Sequence, residues 1–163
     1  MTGADWEVLL RAVVAGLLGY VVGAEREYIA HREAGTSTFG LVSLSSATIT
    51  AAAFLLFDPT GASRVVANVL VGVGFLGGGM IVKDLVHVRG LTTAAGTWAM
   101  ASAGIVIGAG HYALGVAASL LVLLLFSAEH LDPFVRARFG GLRPAINTSP
   151  GSTQRGPGEI EGR

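Results

Sequence analysis

The chain has 163 residues, of which 52% are hydrophobic and 13% are charged, about half the ~25% charged fraction usual in soluble domains. So few charges cannot cover the surface of a soluble fold of this size, which points to a membrane protein. Eleven basic and eleven acidic residues cancel, so the basic surplus of a nucleic-acid binder is missing, and the lack of cysteine excludes disulfides and thiolate chemistry.

The charged residues divide the chain. Residues 12–24, 34–57, 65–82 and 90–128 carry no Asp, Glu, Lys or Arg. A bilayer core takes about 20 apolar residues per helix, so the last stretch holds two spans, with Gly108-Ala109-Gly110-His111 as the turn between them. Five transmembrane helices are predicted, over 6–25, 38–57, 64–82, 91–108 and 111–127. Arg11 lies inside the first, one turn from its end, and is expected to snorkel to the headgroups. Asp58 and Arg64 bracket a short Pro-Thr-Gly-Ala-Ser turn before the third. Trp98, mid-helix, is expected to pack inside, and Trp6 and Tyr112 to sit in the outer aromatic belt.

Orientation follows from the lysines and arginines. The 26–37 loop, the 83–90 loop and the tail share one side and hold nine of the eleven; the other side holds Arg11 and Arg64. This predicts a cytoplasmic C-terminus and an external N-terminus. The first residues have no basic region, so a cleaved signal peptide is not expected. The transmembrane domain is read as 1–128, followed by a cytoplasmic tail over 129–163. From about 140 that tail is rich in Gly, Pro, Ser and Thr and is expected to be disordered.

Glycine is the other unusual feature, at 24 residues. Gly72-Val73-Gly74-Phe75-Leu76-Gly77-Gly78-Gly79 lies within an apparent span, although each Gly weakens a helix by about 1 kcal/mol relative to Ala. One reading is a flat face for close helix packing, with Gly74, Gly77, Gly78 and Gly79 on helix three and Gly19 and Gly23 on helix one. The other is a broken helix whose carbonyls line a polar site. No Lys-Ser/Thr follows the last Gly, so this is not a nucleotide-binding loop. A faint repeat at an offset of 55 relates Gly19-x-x-x-Gly23 to Gly74-x-x-x-Gly78 and Gly35-x-x-Thr38 to Gly90-x-x-Thr93.

Charges gather at the basic-side ends of the helices: Glu25-Arg26-Glu27 after helix one and Lys83-Asp84 after helix three. They read as a rim of ion pairs or as a cation site in which Glu25 and Asp84 supply carboxylates to Mg²⁺, which keeps several waters when protein-bound. Arg89 lies at headgroup depth, and Thr92 or Thr93 is expected to cap helix four. The four histidines are scattered and are assigned no metal. No serine has a His/Asp partner at a recognisable spacing, so an enzyme is not expected.

Gly23-Ala24-Glu25-Arg26-Glu27, Ala34-Gly35 with Thr38, Gly72 to Gly79, and Val88-Arg89-Gly90-Leu91-Thr92-Thr93-Ala94-Ala95 together resemble the MgtC/SapB family, over about residues 8–127. The resemblance implies a bacterial inner-membrane protein linked to growth at low Mg²⁺ and, in some intracellular pathogens, to survival in host cells. Members usually have Arg where Ser37 stands, commonly Asn at Thr92, and in some cases Cys at Ala99. Many also carry a cytosolic ACT-like domain after helix five, where a short tail follows here.

The reading is therefore an all-α, polytopic membrane protein with five transmembrane helices and glycine-rich close packing. Its expected role is in magnesium homeostasis, as a regulator binding another membrane complex or alternatively as a small cation transporter or channel. The candidate polar cluster is Glu25, Arg26, Asp84, Arg89 and Thr92, with Glu25 and Asp84 as candidate metal ligands. No cofactor is expected beyond Mg²⁺ itself. The expected partners are the lipid bilayer, another membrane protein complex and further copies of the chain, with no nucleic acid.

Overall fold

The computed structural model describes residues 2–29, 34–83 and 88–128. The chain divides into two units, Met1–Asp132 and Pro133–Arg163. The second unit, and with it the tail expected to be disordered, lies outside the described residues.

Helix α1 spans Gly3–Ala24. It starts before the predicted position because Thr2 and Asp5 form a reciprocal capping box: the Thr2 N–H donates to Asp5 Oδ2 at 2.6 Å and the Asp5 N–H to Thr2 Oγ1 at 3.3 Å. The charged segment that was expected to end the helix instead continues it as a wider π turn, Glu25–Ile29. Helix α2 spans Thr36–Leu56 and α3 spans Pro59–Gly79. The predicted turn before α3 is in fact its first turn. Asp58 caps it by accepting from the N–H groups of Thr60 and Gly61, and Pro59 occupies the position where a missing N–H costs nothing. After α3 comes a minimal hairpin, β1 (Val82–Lys83) and β2 (Val88–Arg89), pairing Val82 with Arg89 and Lys83 with Val88. Helices α4 (Leu91–Gly108) and α5 (Tyr112–Ala128) follow, joined by a turn in which Gly110 has φ +93°.

Four of these helices are long and apolar enough to cross a bilayer, and α5 is an apolar helix of 17 residues, about 26 Å long. The protein is an all-α, multi-pass membrane protein. Helices α1 and α2 make the most extensive contact, α2 and α4 lie at the centre, and α3 packs mainly on those two at the margin. The core has two clusters: Val22, Phe39, Met100, Ala103 and Phe126 near one end, and Ala15, Ala47 and Ile107 towards the other.

Close packing is achieved by glycine, but not where the density of glycine suggested. A Cβ on Gly74, Gly78 or Gly79 would meet nothing within 4 Å, and one on Gly77 would make ordinary contact with Ala94 at 3.7 Å. The expectation that this run is the packing core is therefore corrected: α3 turns most of its glycines away from its neighbours. The tight contacts are elsewhere. A Cβ on Gly19 would lie 2.9 Å from Ser43 Cβ, and one on Gly23 only 2.5 Å from the Gly35 carbonyl oxygen. Gly104 and Gly108 bring α4 against Ser43, Ser46, Ala47 and Thr50 of α2, and Gly115 brings α5 against Ile107.

Two other expectations change. Arg11 is largely covered rather than reaching outward. Its Nη1 donates to the Gly108 carbonyl at 2.7 Å, where the end of α4 carries partial negative charge, and its Nη2 pairs with Glu7. This ties the start of α1 to the α4–α5 turn. Trp98 is 48% exposed and faces outward from the bundle.

Candidate functional site

The opposite end of the bundle, where α1 ends and α2 and α4 begin, buries two charges. Arg26 has no exposed surface and Glu25 is 5% exposed. Burying an arginine inside a membrane domain is expensive unless the protein replaces the water it loses. Three helices do so. From α5, Phe126 places its ring under the guanidinium, with Cζ 4.2 Å from the ring centroid, and from α4 Thr93 Oγ1 lies 3.4 Å from Nη2. The ring is in turn held edge-on by Phe39 of α2, with centroids 5.9 Å apart and planes at 82°. The site is thus a stack running from Phe39 through Phe126 to Arg26.

Gly96 makes room for this stack. A Cβ there would run into the Phe126 ring, with Cε1 and Cε2 at 3.0 Å and Cζ closer still. One turn of α4 thus supplies Thr93 to the guanidinium, Gly96 to the ring and Thr97, whose hydroxyl donates to the Thr93 carbonyl at 2.9 Å.

The π turn also sets Glu27. Its carboxylate accepts from the Thr36 N–H at 2.9 Å and from Thr36 Oγ1 at 2.5 Å. Helix α2 begins after Gly35, which has no side chain to cap it, so the end of α1 provides the cap and negative charge meets the helix N-terminus. Gly90, at φ +85°, occupies the equivalent position before α4. It too makes no side-chain cap, so neither Thr92 nor Thr93 caps α4 as expected. The offset-55 repeat therefore marks two glycine-initiated helices, while its other glycines diverge, packed in α1 and open in α3.

The structure separates the sequence candidates. Glu25 and Arg26 enter the buried site. Thr92 is exposed and its neighbour Thr93 meets Arg26. Arg89 is exposed on β2, and Asp84 lies outside the described residues. Phe126 and Gly96 were not anticipated, and Glu27, noted within the charged segment, was not expected to cap α2. Phe126 was one aromatic in a Leu-Val run, and only the tertiary fold carries it to Arg26. Among the described residues, no group of three His, Cys, Asp or Glu side chains could hold a metal ion. Glu25 brings one carboxylate to this end of the bundle, and Asp84, the other candidate ligand, lies outside the described residues.

The MgtC family model matches residues 12–132, the segment that contains every residue of this site. The chain belongs to the MgtC family. It is 39% identical over 139 residues to protein MgtC of Brucella suis, covering 82% of this chain and 58% of that one. It is 36% identical over 115 residues to protein MgtC of Salmonella typhimurium, covering 71% and 49%. An uncharacterized protein of Synechocystis is 37% identical over 121 residues, covering 74% and 51%. The chain thus spans about half the length of the curated relatives it matches. No solved structure matches it.

Proposed function

We propose that this chain is a non-enzymatic regulator in magnesium homeostasis and adaptation to low Mg²⁺. In this reading it sits in a bacterial inner membrane with its N-terminus external and its C-terminus cytoplasmic, and acts by contact with another membrane complex. Membership of the MgtC family supports the link to magnesium, and the basic asymmetry of the loops supports the orientation. The observation that carries the regulatory part is the position of Arg26. It is fully buried, with the Phe126 ring of α5 and Thr93 of α4 against its guanidinium. A guanidinium held in this way joins three helices. Any change at the Glu25–Arg26 end is then felt across the bundle.

A small cation transporter is the second reading, favoured by a row of buried hydroxyls on α2. Ser43, Ser46 and Thr50 are all buried, and Ser43 and Thr50 have no hydrogen-bond partner among the described residues. A polar row inside a membrane domain is where a permeating ion would travel.

The test is growth at low Mg²⁺ of a strain deleted for its own family member and carrying this chain or a variant, with membrane abundance measured by blot. The wild-type chain should restore growth. Arg26→Gln should fail to restore it while remaining in the membrane, because the helices lose their common anchor. Full growth with Arg26→Gln at normal abundance would remove Arg26 from the mechanism. Failure of the wild-type chain at normal abundance would remove the magnesium reading.

A further inference from the structure

A small hollow of about 200 Å³ opens between the start of α1 and the end of α2. Ala4, Val8 and Ala51 give it apolar walls, Phe54 stands beside them, and Glu7 and Arg11 bring opposite charges. The two charges differ in cover: the side chain of Arg11 is 18% exposed and that of Glu7 is 56% exposed. Arg11 is also held from behind, since its Nη1 donates to the Gly108 carbonyl of α4. Glu7 and Gly108 do not use up its five N–H groups, and Nε has no acceptor among the described residues. Both charges lie in the first turns of α1, where Trp6 is 60% exposed and marks the depth of the interface. Arg11 is one turn, about 6 Å, further into the bilayer than Glu7.

We propose that this hollow holds the headgroup of a zwitterionic phospholipid with a primary amine, of the phosphatidylethanolamine type, from the leaflet on the N-terminal side of the protein. The argument is the order of charge with depth. In such a lipid the acyl chains lie deepest, the phosphate next and the ammonium outermost. Along α1 the uncharged run from Ala12 lies deepest, the guanidinium of Arg11 next and the carboxylate of Glu7 outermost. The phosphate accepts charge-assisted hydrogen bonds from Arg11, and the ammonium donates to Glu7. The end of α2 favours the same ammonium. Its last helical bond runs from the Phe57 N–H to the Ala53 carbonyl at 3.0 Å, so the carbonyls beyond Ala53 add partial negative charge, and Phe54, 51% exposed, is available to a cation. Glu7 and Arg11 sum to zero charge, so an anionic headgroup loses at Glu7 what it gains at Arg11. A quaternary ammonium has no N–H to donate to Glu7. This inference stands apart from the regulatory reading and from which side of the membrane the N-terminus faces.

The test uses the full chain, purified in detergent, depleted of lipid, and offered equal amounts of phosphatidylethanolamine, phosphatidylcholine and phosphatidylglycerol with the same acyl chains. Native mass spectrometry counts the lipid retained. The wild-type chain should hold one phosphatidylethanolamine about tenfold more strongly than either of the others. Glu7→Gln removes the carboxylate, and Ala4→Leu fills the hollow without touching a charge. Each should bring phosphatidylethanolamine down to the level of the other two lipids, with thermal unfolding in lipid-free detergent unchanged. Arg64→Met, which removes a charge outside the hollow, should leave the preference intact. Equal retention of the three lipids, a preference for phosphatidylglycerol, or a phosphatidylethanolamine preference that survives Glu7→Gln or a folded Ala4→Leu would overturn the proposal. Displacement of the bound lipid by soluble phosphoethanolamine at equal concentration would overturn it too, because the hollow would then be a site for a free zwitterion. If Ala4→Leu fails to fold, Glu7→Gln decides alone.

Discussion

Phe126→Leu isolates the interaction that allows Arg26 to be buried. The substitution keeps an apolar side chain at a site 4% exposed but removes the aromatic face that lies 4.2 Å from the guanidinium carbon. A cation within about 6 Å of a ring centroid gains about 0.5–1 kcal/mol at an exposed site and about 2 kcal/mol when desolvated. Arg26 has no exposed surface, so the desolvated value applies. Imperfect repacking of Leu against Gly96 and Phe39 adds about 1 kcal/mol. Phe126→Leu should therefore lower stability by about 3 kcal/mol in the wild-type background. In an Arg26→Met background, the ring has no cation above it, and the same substitution should cost only the repacking part, about 1 kcal/mol. The difference of about 2 kcal/mol is the coupling energy of the pair. Reversible unfolding in mixed micelles of sodium dodecyl sulfate and a mild detergent, followed by circular dichroism, measures all four corners of the cycle. Equal losses in the two backgrounds, within about 0.5 kcal/mol, would refute the claim that the ring stabilises the buried charge.

Gly115→Leu should sharply reduce folded yield in detergent, because a side chain there meets Ile107 and, at 3.2 Å, the Ala103 carbonyl oxygen; Gly78→Leu should stay close to wild type. The reverse order would place the close packing back in α3. Glu27→Ala should lower the thermal unfolding midpoint through loss of the α2 cap, and thermal unfolding that does not move would show the cap to be idle. Arg11→Met should cost about 1.5–3 kcal/mol through its charged bond to Gly108, whereas Arg64→Met, fully on the surface, should fall within ~0.5 kcal/mol of wild type. Reporter fusions between α2 and α3 should read external and those between α3 and α4 cytoplasmic; the opposite pattern would invert the assigned orientation.

The helices themselves were legible because the charge-free stretches state directly where a chain can cross hydrocarbon. The start of α3 was misread because Asp58 and Arg64 looked like the edges of a turn. Their true meaning depends on Asp58 capping Thr60 and Gly61, with Pro59 fitting the first helical turn. Glycine density was a poor guide to packing, since what matters is the face on which each glycine falls and what lies opposite. Gly19 faces the α2 backbone and Gly78 faces open space. In the candidate site, Glu25 and Arg26 stood out as charges at a helix end. Their burial was hidden because it depends on a π turn and on Phe126, a hundred residues away in sequence. Thr92 and Thr93 differ by one position, which in a helix is a rotation of about 100°. That rotation turns a hydroxyl from Arg26 to the exterior.

Mg²⁺ flux into liposomes containing only this chain tests the central claim most directly. If Arg26 serves to tie helices together and no ion passes, the chain should give the same flux as empty liposomes over a range of imposed Mg²⁺ gradients, in folded preparations verified by circular dichroism. Flux that exceeds the empty-liposome rate, saturates with Mg²⁺ and disappears in Glu25→Gln would contradict the account and make the chain a transporter.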